Sequence, residues 1–148
     1  ASIQNAALGS GPNAILTESQ PHRSMQFIQP ADAPTPKGHY SPGVVHGGVL
    51  YISGQLPTDP QTGEIPDGIR AQTLLALEKA ASVMAAAGTD RSRELQMRIY
   101  ISKGDDWGAV NEAFATFFGD HRPARCVVPS RDLHYGCLVE IEGTAAVG

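Results

Sequence analysis

Two charged side chains near the end of the chain stand inside apolar, strand-like runs. Arg125 lies in His121-Arg122-Pro123-Ala124-Arg125-Cys126-Val127-Val128. Glu140 lies in Leu138-Val139-Glu140-Ile141-Glu142-Gly143. A charge in such a run is costly unless it is paired or binds something. Arg125 carries a fixed cation on a planar fork that matches a carboxylate. Glu140 is a candidate proton carrier. A carboxylate clamp beside a proton carrier is the smallest kit for chemistry on a small acid. The same residues also fit a plainer reading, an internal Arg–Glu ion pair that only orders the sheet. On these residues alone both readings stay open.

Other chemistry is poorly supported. The five histidines form no HExxH or HxH pattern and the two cysteines no CxxC, so no metal site is expected. Gly9-Ser10-Gly11 follows no strand and opens no helix, so it is not a phosphate loop. Ser53-Gly54-Gln55 lacks the elbow of a serine hydrolase, and Ser53 reads as a pocket wall or hydrogen-bond donor. Cys126 adjoins Arg125, which favours a thiolate. Strand alternation turns it away from Arg125, and both Cys126 and Cys137 read as buried, inert thiols.

The elements that must position Arg125 and Glu140 follow from periodicity. Val44-Val45 and Val49–Ser53 flank His46-Gly47-Gly48, a hairpin signature. Gly54 to Gly68 is a proline-punctuated loop. A helix is predicted from Ile69 to Ala87, with Leu74, Leu77, Ala81 and Met84 as its apolar stripe and Gly88 as its stop. Leu95, Met97, Ile99 and Ile101 alternate with polar residues, which predicts a strand with those four on the buried face. Asp105 or Asp106 is positioned to cap a second helix, with Trp107, Val110, Phe114 and Phe117 buried and Gly119 as its end. Cys126–Val128 and Cys137–Thr144 read as the last strands. The order is strand, strand, helix, strand, helix, strand, strand. That is an α+β sandwich, one mixed sheet with two helices on one face. Two helices cannot cover both faces, so the second face meets water or other copies of the chain.

Residues 1–36 differ in composition from residues 37–148. They are rich in Ala, Ser, Asn, Gln and Pro, and read as an N-terminal extension with Met25–Ile28 as an edge strand. At 148 residues the chain suffices for one domain with its own core. A formal charge of −4 argues against general nucleic-acid binding. The absence of a membrane-length apolar run or of a secretory-signal pattern, with only two cysteines, leads to a cytoplasmic expectation.

Six short segments, in this order, resemble the Rid family, the reactive intermediate deaminases of YjgF type, also called endoribonuclease L-PSP proteins. They are Gly38-His39-Tyr40-Ser41-Pro42, Leu50-Tyr51-Ile52-Ser53-Gly54-Gln55-Leu56-Pro57, Asp59-Pro60-Gln61-Thr62-Gly63-Glu64, Ala109-Val110-Asn111-Glu112-Ala113-Phe114, Arg122-Pro123-Ala124-Arg125 and Val139-Glu140-Ile141-Glu142. The resemblance implies a chorismate-mutase-like fold and a homotrimer with clefts between subunits. It implies hydrolysis of reactive enamines and imines, such as 2-aminoacrylate, to a keto acid and ammonia, with no cofactor. By position, Arg125 would clamp the substrate carboxylate and Glu140 would hold or protonate the reacting group or its water. Tyr40, Ser53 and Asn111 would line the cleft, and Gly54 would offer backbone contacts. The implied partners are a small imine or keto acid and further copies of the chain, with no nucleic acid and no membrane.

The chain departs from the family pattern in places. His39 replaces a usual proline, Cys126 a serine and Val127 a cysteine. Asp132-Leu133-His134-Tyr135-Gly136 replaces a commoner Arg-Leu-Pro-Lys-Gly segment that borders the cleft. His134 and Tyr135 are therefore either polar and stacking contacts for substrate or a plain surface loop. Two further functions compete with deamination. One is a regulatory or sensor trimer that binds a small carboxylate through Arg125 without turnover. The other is RNA cleavage, against which the acidic charge and the lack of an aromatic-basic strip count.

Overall fold

The hairpin predicted around two glycines forms. β2 (Gly43–His46) and β3 (Val49–Gln55) pair antiparallel with His46 opposite Val49. Gly47 and Gly48 take φ 59° and 77°, the left-handed pair that a two-residue hairpin loop requires. The computed structural model describes residues 24–148, so residues 1–23 of the expected extension lie outside the described residues. Within residues 24–36, Gln26–Ile28 forms an edge strand, β1, paired antiparallel with β2.

Helix α1 (Ile69–Ala86) ends at Gly88, φ 78°. It leads to β4 (Glu94–Ile101), α2 (Trp107–Phe118), β5 (Ala124–Pro129) and β6 (Val139–Ala146). The sheet order is β1-β2-β3-β6-β4-β5. β4 and β5 run parallel, joined by the crossover helix α2, and every other pair is antiparallel. The protein is thus α+β, with a six-stranded mixed sheet and two helices.

Both helices pack on one face. Leu50 and Ile52 of β3, Met97, Ile99 and Ile101 of β4, and Val139 and Ile141 of β6 are buried against Leu77, Val83 and Met84 of α1 and Val110, Phe114, Phe117 and Phe118 of α2. The other face carries Phe27, Tyr51, Arg98, Tyr100, Cys126, Val128, Glu140 and Glu142. Among the described residues no helix is long and apolar enough to cross a membrane.

Five expectations need correction. The α1 stripe is rotated: Ala76 and Ala80 are fully buried with Leu77 and Met84, whereas Leu74 and Ala81 are only partly so. Leu95 is exposed and Glu94 is buried in its stead. The cause is a bulge: Glu94 lies opposite Ala145 and Gln96 opposite Thr144, so Leu95 is an extra residue and the alternation slips by one. Trp107 is half-exposed rather than core. Neither Asp105 nor Asp106 caps α2 through its side chain; both lie in the 3₁₀ turn Gly104–Asp106 that leads into it. Cys137 is buried as expected, but Cys126 is exposed, because β5 is an edge strand whose outward residues face no second layer.

Candidate active site

A second bulge shapes the first half of the site. Ile52 lies opposite Gly143 and Gln55 opposite Ile141, so Ser53 and Gly54 together face Glu142. Such a bulge bends a strand and re-aims its residues. Gly54 is brought against Glu140: a Cβ there would lie 2.7 Å from Glu140 Oε1 and 3.2 Å from Cδ. Only glycine leaves room for that carboxyl in its present place. Ser53 Oγ donates to the Ser41 carbonyl at 2.5 Å, and the Ser53 N–H to the Pro42 carbonyl at 3.0 Å. These bonds tie β3 to the segment carrying Tyr40, whose ring is exposed. Tyr40, Ser53, Gly54 and Glu140 thus form one group, with Ser53 acting as its tie.

Glu140 is half-buried. Burial pushes its pKa up, the nearby Glu142 carboxylate adds to the rise, and His134 opposes it. A carboxyl raised in this way exchanges protons more readily near neutral pH. Glu142 itself is engaged elsewhere. It accepts from Tyr100 Oη at 2.6 Å and pairs with Arg98 at 3.8 Å.

Arg125 belongs to a second group. On β5 it pairs with Met97, whose side chain points to the helices, so Arg125 points that way too. Its Nη1 donates to Asn111 Oδ1 at 2.9 Å. Its guanidinium carbon lies 5.0 Å from the Phe114 ring centroid and 5.6 Å from that of Trp107. Trp107, Asn111 and Phe114 follow one another at helical spacing, so one face of α2 grips the cation. Among the described residues no carboxylate lies within ion-pair distance of Arg125. The fork is therefore oriented, and most of its donors remain available to a bound carboxylate.

The two groups do not meet within one chain. Arg125 shares a row with Met97, on the helix side. Glu140 shares a row with Tyr100, on the open side. Three residues and two strands separate them, about 14 Å between Cα atoms at standard sheet spacings. The internal Arg125–Glu140 ion pair considered from the sequence does not form. Within one chain Arg125 and Glu140 therefore stand in two separate groups on opposite sides of the sheet.

The two groups carry residues of five of the six segments singled out in the sequence, and comparison with known proteins agrees. The endoribonuclease L-PSP family model matches residues 30–147. This chain belongs to the Rid, or endoribonuclease L-PSP, family. A RutC family protein of Pyrococcus horikoshii is 38% identical over 121 residues, covering 81% of this chain and 96% of that protein. A 2-iminobutanoate/2-iminopropanoate deaminase of Rattus norvegicus is 32% identical over 124 residues, covering 83% of this chain and 90% of that protein. The crystal structure of Escherichia coli TdcF with bound serine superposes with a TM-score of 0.79 at 33% identity, covering 83% of this chain and 99% of that one.

Beside the Gly54–Glu140 contact, this Rid chain has a cavity of about 940 Å³ whose walls include Tyr40, Gly54, Lys79, His134 and Tyr135. No sequence pattern singles out Lys79. Its Nζ donates to the Leu56 carbonyl at 2.7 Å and to Thr58 Oγ1 at 2.9 Å, and burial lowers its pKa. It pins the Gly54–Gly68 loop to α1. Trp107 and Phe114 were read as core alone. The signal that both flank Arg125 is their spacing from Asn111.

Proposed function

We propose that this chain hydrolyses 2-imino acids, and the enamines that tautomerise to them, to 2-keto acids and ammonia, as a 2-iminobutanoate/2-iminopropanoate-type deaminase. The observation that carries this reading is Arg125: an oriented guanidinium, gripped by Asn111, Phe114 and Trp107, with no acidic partner among the described residues. Its natural complement is the carboxylate of a small acid. The names of relatives point the same way, one a deaminase of this type and one holding serine, itself a small amino acid with a carboxylate.

The site is assembled between copies in a homotrimer. Arg125 and Asn111 of one copy hold the carboxylate, and Tyr40, Ser53, Gly54 and Glu140 of the next enclose the reacting carbon. Water adds to the C=N carbon. Glu140 takes a proton from the water and delivers one to nitrogen. Through the same carboxyl the new hydroxyl then gives up its proton and the amine gains one, the C–N bond breaks, ammonia leaves and the carbonyl forms. The reaction consumes only water and requires no cofactor. The catalytic domain is residues 37–148, with residues 1–36 an extension that lends β1, and the setting is the cytoplasm. A sensor needs Arg125 alone. The glycine clearance around Glu140 and its raised pKa favour turnover.

Glu140→Gln tests this. Gln keeps the shape but cannot exchange a proton at neutral pH. Turnover of a 2-imino acid should fall roughly 10²–10⁴-fold, while calorimetric binding of the matching keto acid persists. Unchanged turnover removes Glu140 from the mechanism. A parent that binds keto acids tightly but hydrolyses no imine is a sensor.

A further inference from the structure

Tyr135 is the only described residue other than glycine with a left-handed backbone, φ 58° and ψ 18°. A bulky side chain is disfavoured there, and such outliers persist where the surroundings fix them, often at functional sites. Here the strain does not serve the core, because the Tyr135 ring is 68% exposed. It lies against the His134 ring, centroids 3.9 Å apart, which sets its direction. Tyr135, His134 and the exposed Tyr40 wall the same cavity of about 940 Å³. Gly54 lines that cavity too, and the Glu140 carboxyl adjoins Gly54. Two exposed aromatic rings and an imidazole therefore surround space next to the proton carrier. The cavity is open and runs on from there past Pro34, Thr62 and Ser82, so it does not confine a side chain to the size of a methyl group.

We propose that Tyr135, held by His134 in a cavity that Tyr40 also lines, is a specificity-determining residue that receives the aromatic side chain of a 2-imino acid substrate. The proposal rests on the deaminase reading and adds the substrate class. Aromatic faces favour aromatic partners through offset or edge-to-face packing.

The test uses two imines generated in situ by oxidising phenylalanine and alanine with an amino acid oxidase. The readout is the ratio of kcat/KM for 2-imino-3-phenylpropanoate to that for 2-iminopropanoate. The parent should favour the aromatic imine. Tyr135→Gly, which suits the backbone and removes the ring, should lower the ratio roughly ten- to hundredfold. Tyr135→Phe should keep it. A parent ratio below one, or a ratio unmoved in Tyr135→Gly, overturns the proposal. If the parent hydrolyses neither imine, the deaminase reading fails, and calorimetry with phenylpyruvate and pyruvate decides the subsite separately. A preference for phenylpyruvate that Tyr135→Gly abolishes upholds it, and equal affinities overturn it.

Discussion

Gly54→Ala should damage catalysis far more than folding. The new methyl group would sit 2.7 Å from Glu140 Oε1, where ordinary contact begins near 3.4 Å, so the carboxyl must retreat by about 0.7 Å. The three atoms nearest the added carbon all belong to the Glu140 side chain. Glu140 can yield by rotating off its rotamer, which costs of order 0.5–1.5 kcal/mol. For a chain of this size that is a fall in Tm of roughly 2–6 °C. A proton carrier displaced by nearly an ångström costs far more in rate, up to roughly 10²-fold. The assay is steady-state release of keto acid from a freshly generated 2-imino acid, with thermal unfolding of the same preparation. A folded Gly54→Ala protein with parental kcat would refute the placement of Glu140 at the reacting centre.

Arg125→Lys keeps the charge but loses the two-pronged contact and the flat stack on Phe114 and Trp107. Its kcat/KM should fall roughly ten- to hundredfold, the worth of a lost charged hydrogen bond, and parental steady-state kinetics would count against the clamp. Glu94 gives a pH signature unrelated to catalysis. Its carboxyl is 1% exposed and neither oxygen has a hydrogen-bond partner within 3.5 Å, and burial pushes its pKa up to about 8. The folded state keeps a proton that the unfolded chain releases above the ordinary value of 4.5. Stability is therefore fullest below that value and is lost as pH rises towards 8. Between pH 5 and pH 7 the parent should lose about 3 kcal/mol that Glu94→Gln retains, read by urea unfolding at fixed protein concentration. Parallel curves for the two proteins would contradict this.

The parts of the fold legible in the sequence are those with an undisturbed period. The hairpin at Gly47-Gly48, the end of α1 at Gly88 and the inward set Met97, Ile99 and Ile101 all follow from local chemistry. Both bulges were hidden, because an extra residue is invisible until the partner strand is known. The first exchanged Leu95 for Glu94 in the core. The second turned Ser53-Gly54 towards Glu140. Arg125 and Glu140 stood out as charges in apolar runs, but the sheet face of each depends on pairing with β4, which local sequence does not encode. Trp107 illustrates the same limit: helical spacing assigns it to the α2 stripe, and only the position of β5 at the sheet edge explains why its ring stays half-exposed beside Arg125.

The placement of Arg125 and Glu140 on opposite faces makes the proposed intersubunit site directly testable by complementation. Arg125→Ala and Glu140→Gln chains should each be inactive alone. Unfolded together and refolded as mixed oligomers, they form some clefts with Glu140 from one copy and Arg125 from its neighbour. Random one-to-one mixing in a closed ring makes about a quarter of the clefts complete. Imine hydrolysis should return to about that fraction of the parental rate. Mixed oligomers, verified by mass spectrometry, that remain as inactive as either variant alone would contradict a site shared between copies.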